Sequence, residues 1–588
     1  MASGLVLAFR VWVGRHAMGP VIFADEAGYL GMARLIGHGG QPWNMGTAGT
    51  YSPGYSLVLS AWYLVSHDPS TVYRAAILTN AVLGAIAVVP LWAIARRVTS
   101  LEPRMALGAS VVLLVSPAVA GHANWAWAEN LTVPVFLVLV LLCMRFVEQP
   151  TPRRSLQLAV AVPVVFVVHS RMLPAALVVL ALLALAGIRR WLPPAWAAAS
   201  VVAALAGLAA VRALTSAIHT RLWDTQAGTD QVTNSFDQLT KARAIGASAV
   251  GQGWYLLIAT AGIFGLGAIA VSKAALWRRG GATWAMRRAD AVIMLLLVGV
   301  TIATSVVFMA GRTRGDQLVY GRYNDAVVLP ITMVGIGVLA SIRSLASLAR
   351  QVLLLVVVTA VAAGLLRRFH TAQLQSAFER ATILGLLPFS GVTHIRVLHA
   401  TAIGLIVFML LAGLSAGLSR LDRSGPLRAT VVVVVLGVLA IGAMVAINPD
   451  LRVDTASANA PVATAAVREI VPPGTVIRYK TYLPDAQGVY QQSVPMGPFY
   501  LYPFYLWQYR LYRQTPPSFR RDPGEGTPPS TPWFFSTPTD AAARTSGARI
   551  AYIDPDAGLA LWVEPGPEQR RLAADGALLP TPQSPPAP

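Results

Sequence analysis

The sequence predicts an α-helical polytopic membrane protein of about thirteen transmembrane helices, with a small extracytoplasmic α/β domain at its C-terminal end. Three observations predict this. Of 588 residues, 55% are hydrophobic and only 12% are charged, against roughly 25% charged in soluble domains. Apolar runs long enough to cross a bilayer recur as far as residue 447, and beyond it the chain turns to prolines, aromatics and short strand-like segments. The expected organisation is therefore a transmembrane domain 1–447 with a first outer loop 15–70, an extracytoplasmic domain 448–577, and a disordered Pro-rich tail 578–588.

A helix crossing lipid needs about 20 mostly apolar residues, because its backbone polar groups must be satisfied internally. The runs that qualify are 71–95, 105–120, 129–147, 156–169, 172–188, 195–217, 252–272, 289–310, 325–342, 351–366, 397–418 and 428–447. A further run, 1–14, is marginal: it is short and carries Arg10. The single cysteine, Cys143, lies within an apolar run, so neither a disulfide framework nor a cysteine-based metal site is available in one chain.

Basic residues orient these spans. With a cytoplasmic N-terminus, six successive loops marked by Arg97, Arg153, Arg190, Arg288, Arg350 and Arg423 fall inside, as the positive-inside rule requires. The same rule accounts for the net charge of +20 without any nucleic-acid partner. The long segments 15–70, 121–128, 218–251, 311–324 and 367–396, and everything after about residue 448, then lie outside, where ATP and nucleotide sugars are absent. Counting "YSPGYSLVLSAWYLV", residues 51–65, as a span would reverse this parity. It reads instead as a helix lying in the outer interface, with Tyr51, Tyr55, Trp62 and Tyr63 as interfacial aromatics. The first outer loop is then two short helices around the Gly-rich "GHGGQPWNMG".

Adjacent carboxylates, Asp25 and Glu26, sit at the rim of the first hydrophobic segment in "FADEAGYLGMARLIGHGG". The pair, the later "YSPGYSLVL" and the helix "YRAAILTNAVLGAIAVVPLWAIARRV" together resemble the polyprenyl-phosphate-dependent GT-C glycosyltransferases, among them protein O-mannosyltransferases and aminoarabinose transferases. The resemblance covers residues 20–190 and, more weakly, 311–330, and rests on order and spacing; "YSPG" has one proline where many members have two. It implies a GT-C-like fold, a polyprenyl-phosphate-linked sugar donor, and a glycan, lipid or protein acceptor outside the membrane. It also implies that Asp25 is the base and that Glu26 orients it or binds a divalent metal; the sequence requires no cofactor beyond that candidate metal.

Transfer from a lipid phosphate needs a base for the acceptor hydroxyl and cations for the departing phosphate. Glu129, opening a helix in "GHANWAWAEN", either caps that helix electrostatically or takes the place of the acidic residue that GT-C enzymes carry in their second outer loop. His122, Trp125 and Trp127 beside it, like Tyr51 and Tyr55, are candidate sugar or acceptor contacts, or interfacial anchors. His169 and Arg171 in "VVHSRMLPA" stand at a helix junction, where charge is costly enough to suggest function. "GRTRGDQLVYGRYNDAVVLP" supplies Arg312, Arg314, Arg322 and Tyr323. Arginine suits phosphate because its planar fork meets two oxygens, and the alternative is snorkelling to lipid headgroups.

Beyond residue 448, "GTVIRYKTY" reads as a strand and 548–553 with 559–564 as a hairpin across "DPDAG". "YLYPFYLWQYRLYRQ", 500–514, either covers the active site or rests on the membrane surface. The function expected is a multi-pass glycosyltransferase of the cytoplasmic membrane, working on its outer side, in a bacterium to judge from the Ala, Arg, Gly and Pro usage. Alternatives are a transporter or flippase of lipid-linked glycans, or a glycan ligase or polymerase of similar architecture. Sidedness has a direct test. In a background lacking Cys143, cysteines placed at Arg97 and Arg288 should resist a membrane-impermeant thiol reagent in whole cells, while one at Gly40 reacts; labelling at position 97 would overturn the topology.

Overall fold

The computed structural model describes residues 1–21, 23–38, 51–222, 241–276, 286–342, 344–376, 378–421, 425–452, 455–480, 482–484, 490–492, 501–502, 504–506, 509–514 and 530–580. Two units emerge: Met1–His16, Ile77–Thr215 and Thr229–Arg452 make the first, and Ala17–Ala76, Ser216–Gly228 and Val453–Pro588 the second.

The spans lie mostly in the first unit. Eight helices among the described residues are long and apolar enough to cross a membrane, and three further pairs qualify if each bent pair is one span. All twelve runs expected from the sequence have counterparts. Of the thirteen segments expected, two fall short even when each bent pair is counted as one span. Pro152–Val168 has 17 residues, about 26 Å at 1.5 Å per residue, against a core of about 30 Å. Ala2–Gly14 has 13 residues, and its Arg10 is buried, with Nη1 donating to Val119 O at 3.2 Å and Nη2 to Asn130 Oδ1 at 2.7 Å. That arginine passes over Gly84, where a Cβ would meet its side chain at 2.3 Å.

The bends have local causes. Ala242–Ala259 and Ile263–Leu276 meet at 109°, where Ala261 and Gly262 adopt φ of 43° and 73°. The Gly262 N–H donates to Leu257 O at 2.7 Å, the closing bond of a Schellman helix end. Gly315–Asp325 and Leu329–Ala340 meet at 79°, and Pro103–Val115 and Pro117–Asn124 at 58°. A proline opens the second helix of each of these two pairs, at Pro330 and Pro117. Each bend brings helix ends, with their free backbone groups, into the protein interior.

In the second unit, Phe23–His38 packs on Gly54–Val65, with Ser56 Oγ donating to Tyr29 O at 2.8 Å. Tyr55, Leu59 and Tyr63 recur at helical spacing and are all buried. Tyr55 and Tyr63 thus face protein rather than the lipid interface expected of them, because this stripe is the face that closes on the preceding helix. Most of "GHGGQPWNMG" lies outside the described residues.

The C-terminal part of the second unit carries a five-stranded sheet of order β4-β1-β5-β7-β6, with β1 Val476–Lys480, β4 Arg510–Gln514, β5 Trp533–Ser536, β6 Arg549–Asp554 and β7 Leu559–Val563. A separate antiparallel pair joins β2 Tyr482–Pro484 to β3 Tyr490–Gln492. Strand β1 pairs in parallel with β4 and β5, while the β6–β7 hairpin is antiparallel as its turn sequence predicts. Phe534 and Trp562 stack at 6.2 Å in its core. In the Tyr-rich stretch, Tyr502, Phe504, Tyr505 and Tyr509 are buried, with the Tyr502 hydroxyl donating to Asp554 Oδ2 at 2.6 Å and that of Tyr509 to Val471 O at 2.9 Å. Their rings are core, and their hydroxyls find partners at its edge.

A close helix approach in the first unit joins Ile263–Leu276 to Leu329–Ala340. A Cβ on Gly267 would lie 1.9 Å from Ile331 O, and one on Gly335 2.0 Å from Ile263 O. Small residues that let backbones meet are a main means of packing helices in lipid. Gly335→Val should therefore lower thermal stability in detergent by at least the ~1–3 kcal/mol of ordinary overpacking. An unchanged unfolding midpoint would show that this contact is loose.

Candidate active site

Each unit holds one cluster of the residues singled out above. In the second unit, Asp25 and Glu26 lie in the first turn of Phe23–His38, the acidic-favouring end of a helix. Their environments differ. Glu26 is fully buried, its Oε2 accepting from the Val21 N–H at 2.7 Å and its Oε1 from the Tyr73 hydroxyl at 2.6 Å. Asp25 is half-buried and accepts a hydrogen bond from the Tyr51 hydroxyl at 2.8 Å. Tyr51 and Tyr55 both lie against Tyr29, with ring centroids 4.9 and 5.6 Å away. Tyr73 is held in turn by an edge-on contact with Phe504 at 6.2 Å. Glu26 is thus anchored on both oxygens, and Asp25 is the more accessible carboxylate.

A hard divalent cation wants six or more oxygen ligands. Both Glu26 oxygens already accept protein hydrogen bonds, and no group of three His, Cys, Asp or Glu that could hold a metal occurs among the described residues. The side chains present do not fit a protein-built metal centre, and no step below is routed through one.

In the first unit, Glu129 opens the helix Glu129–Glu148, Arg171 sits in the 3-10 turn Ser170–Met172, and Arg322 begins the short helix Arg322–Asp325. Three helix ends therefore deliver one carboxylate and two guanidiniums. Arg322 grips Glu129 with its fork, Nε to Oε1 at 2.6 Å and Nη2 to Oε2 at 3.1 Å, with only 6% and 3% of the side chains exposed. Arg171 lies 3.8 Å from Glu129 Oε1 and over the Tyr323 ring, touching His169. Arg322 also lies over Trp127, 3.9 Å from the ring centroid, so both guanidiniums have an aromatic face as well as a carboxylate. Both cations face the same carboxylate. His169 adds an edge contact to Tyr323 at 6.2 Å, and His122 and Trp125 pack on Trp127 at 5.2 and 5.0 Å. Both ring nitrogens of His122 and the indole nitrogens of Trp125 and Trp127 are buried with no hydrogen-bond partner among the described residues. Such groups cost about 1–3 kcal/mol each when left unmade, which suits a place built to receive a polar ligand.

The remaining arginines go elsewhere. Arg314 pairs with Asp316, Nε to Oδ1 at 3.0 Å and Nη2 to Oδ2 at 2.8 Å. Burial works against its charge, but Asp316 outweighs this and holds its pKa above the ordinary value. Arg312 is exposed, its guanidinium 5.6 Å from the Phe308 ring.

Several supporting residues escaped sequence reasoning. Asn130 Nδ2 donates to His122 O at 2.9 Å and Asn80 Nδ2 to Trp125 O at 2.8 Å, fixing the loop that presents the two tryptophans. Asp325 is buried and accepts from the Tyr255 hydroxyl at 3.0 and 2.9 Å, with His122 Nε2 4.0 Å from its Oδ2. A carboxylate among apolar residues was the signal for Asp325, whereas no local pattern pointed to Tyr255 or Tyr73.

No protein-family model and no curated protein matches the chain. Solved structures do. The crystal structure of ArnT from Cupriavidus metallidurans in the apo state aligns with TM-score 0.56 and 14% identity, covering 96% of this chain and 98% of that one. ArnT bound to undecaprenyl phosphate aligns with TM-score 0.55, 14% identity and the same coverage of 96% and 98%. The chain thus shares the fold of ArnT along its length, a helical polytopic architecture with a small C-terminal sheet region as its sequence predicts.

The buried pair generates a stability prediction. Glu129→Gln should cost about 3–5 kcal/mol, because it takes the carboxylate from two buried guanidiniums, and Arg322→Gln less, because Arg171 still faces Glu129. The double variant should lose clearly less than the sum. Additive losses in thermal unfolding would mean that the two side chains do not act as a pair.

Proposed function

We propose that the protein is an integral membrane glycosyltransferase that moves a sugar from a polyprenyl phosphate or diphosphate to an acceptor on the outer side of the cytoplasmic membrane. The observation that carries this reading is the meeting of Arg171 and Arg322 on Glu129 beside His122, Trp125 and Trp127, whose buried ring nitrogens have no hydrogen-bond partner among the described residues. Guanidinium forks match phosphate oxygens, and the ring nitrogens offer further contacts to a polar ligand. The fold supports the same reading, since it is shared along the whole chain with a protein solved bound to undecaprenyl phosphate.

In the proposed step the acceptor hydroxyl oxygen bonds to the anomeric carbon while the bond from that carbon to the phosphate oxygen breaks. The phosphate leaves with the electron pair. Asp25 takes the hydroxyl proton, and Glu26, held by Val21 and Tyr73, positions it. Arg171 and Arg322 stabilise the charge that develops on the leaving phosphate, with Arg312 and Arg314 further out as candidates for guiding the anion in. Trp125, Trp127, His122, His169 and Tyr323 are the candidate sugar and acceptor contacts of the first unit, and Tyr51 and Tyr55 those of the second.

Purified protein incubated with a panel of radiolabelled polyprenyl-phosphate sugars and membrane extract should transfer label to an acceptor. A transporter would move lipid-linked sugar across proteoliposomes without changing it. Asp25→Asn should lower transfer by roughly 10² to 10⁴ while leaving donor binding intact, and Glu26→Gln should be milder. Arg171→Lys keeps charge but loses the fork, and should weaken the transition state by about 1.5–3 kcal/mol. Unchanged transfer by Asp25→Asn would remove the base from this mechanism.

A further inference from the structure

Phe308 is the one aromatic residue of the span Arg288–Met309, and no pattern in the sequence singles it out. Its ring lies beside that of Tyr323, with centroids 6.0 Å apart. Two guanidiniums lie over it, that of Arg171 at 5.9 Å and that of Arg312 at 5.6 Å from the ring centroid. The local chain path explains the second contact. Just past the helix, Gly311 turns the backbone at φ 72°, so the Arg312 N–H returns to Met309 O at 3.3 Å. Gln373 Nε2 then fixes the Arg312 carbonyl at 2.9 Å. The Arg312 side chain is thereby laid back beside the end of the helix it follows.

One ring therefore joins the arginine that faces Glu129 to a second, exposed arginine that has no ion pair among the described residues. Burial falls off in the same direction. Arg322, Trp127 and His122 are buried, Arg171, Phe308 and Tyr323 half-buried, and Arg312 exposed, so Phe308 stands on the accessible side of the cluster. Stacking uses the flat face of a guanidinium and leaves the N–H groups at its edge able to donate. An unheld arginine must give up its rotamer freedom to grip a phosphate, whereas a stacked one has already given up part of it.

We propose that Phe308 is a positioning residue of the donor site, its ring holding Arg171 and Arg312 so that their N–H edges meet the phosphate of the incoming lipid. This rests on the reading of the Arg171 and Arg322 cluster as a phosphate site. Phe308 itself does not touch the phosphate; it acts through the two arginines.

Binding of a radiolabelled polyprenyl phosphate to the full chain in neutral detergent tests this without turnover. Phe308→Leu keeps apolar bulk but has no ring face, and should weaken binding roughly fivefold, the worth of two exposed cation–ring contacts. Phe308→Trp keeps a face and should bind as the wild type does. Arg312→Gln should weaken binding in the wild-type background and by clearly less beside Phe308→Leu, because the arginine has by then lost its seat. Unlabelled phosphatidylglycerol or inorganic phosphate at equal concentration should not displace the label. Unchanged binding in Phe308→Leu, or a loss that Phe308→Trp does not restore, would overturn the role of Phe308. So would additive losses for Phe308→Leu and Arg312→Gln, the result expected of a phenylalanine that only packs. Displacement by either competitor would make the two arginines a general anion contact and overturn their assignment to the donor. No binding by the wild type would overturn the phosphate site itself, and this inference with it.

Discussion

A charge inside an apolar helical bundle must meet an opposite charge and a full set of hydrogen bonds, and the first unit is arranged around that demand. Arg322 and Glu129 are 193 positions apart in the chain, yet the fork of one closes on both oxygens of the other. To bring them together, two helices must end inside the protein rather than at its surface. The break between Gly315–Asp325 and Leu329–Ala340, bent by 79°, supplies one such end, and the loop before Glu129–Glu148 supplies the other. The carbonyls freed at that loop are taken up by Asn80 and Asn130, and Asn130 is itself held by Arg10. The bent spans thus bring polar groups together inside the bundle, and the cost of burying those groups unsatisfied keeps the bends in place.

The second unit solves a related problem by different means. Glu26 is buried, and each of its oxygens is held, one by a backbone N–H and the other by a tyrosine hydroxyl. That tyrosine, Tyr73, is packed by Phe504 from the C-terminal part of the same unit. Residues far along the chain therefore hold the first carboxylate pair in place, and the Tyr-rich stretch serves as support. Asp25, one position earlier on the same helix, keeps partial exposure and accepts from the Tyr51 hydroxyl at 2.8 Å. Two neighbouring carboxylates have thus acquired different environments, one fully buried and one half-buried.

Much of this was legible in the residues. Hydrophobic run length located the eight helices long and apolar enough to span, and the three bent pairs, because lipid imposes a minimum length on a crossing helix. The β6–β7 hairpin was legible for a similarly local reason, its turn being specified by a few adjacent residues. Arg171, Arg322, Glu129, Trp127 and Tyr323 were all singled out, since charge and aromatic clusters at helix ends are conspicuous in an apolar chain. Their mutual contacts were not. A helical wheel relates positions a few residues apart, and the grip of Arg322 on Glu129 joins segments that only packing brings together.

By itself, then, the sequence determined a helical membrane protein, its spans, and the residue types able to handle a phosphate and a proton, because composition and periodicity answer directly to solvent. Tertiary structure decided which arginine is spent on which carboxylate. Arg314 went to Asp316, two residues away, and Arg322 to Glu129, although both arginines stand in one short stretch with equal claims. It also turned Tyr55 and Tyr63 from expected lipid-facing anchors into core, and drew Tyr73 onto Glu26. The physical reason is the same in each case: burial and pairing energies depend on what lies across the contact, and that partner is chosen by the fold.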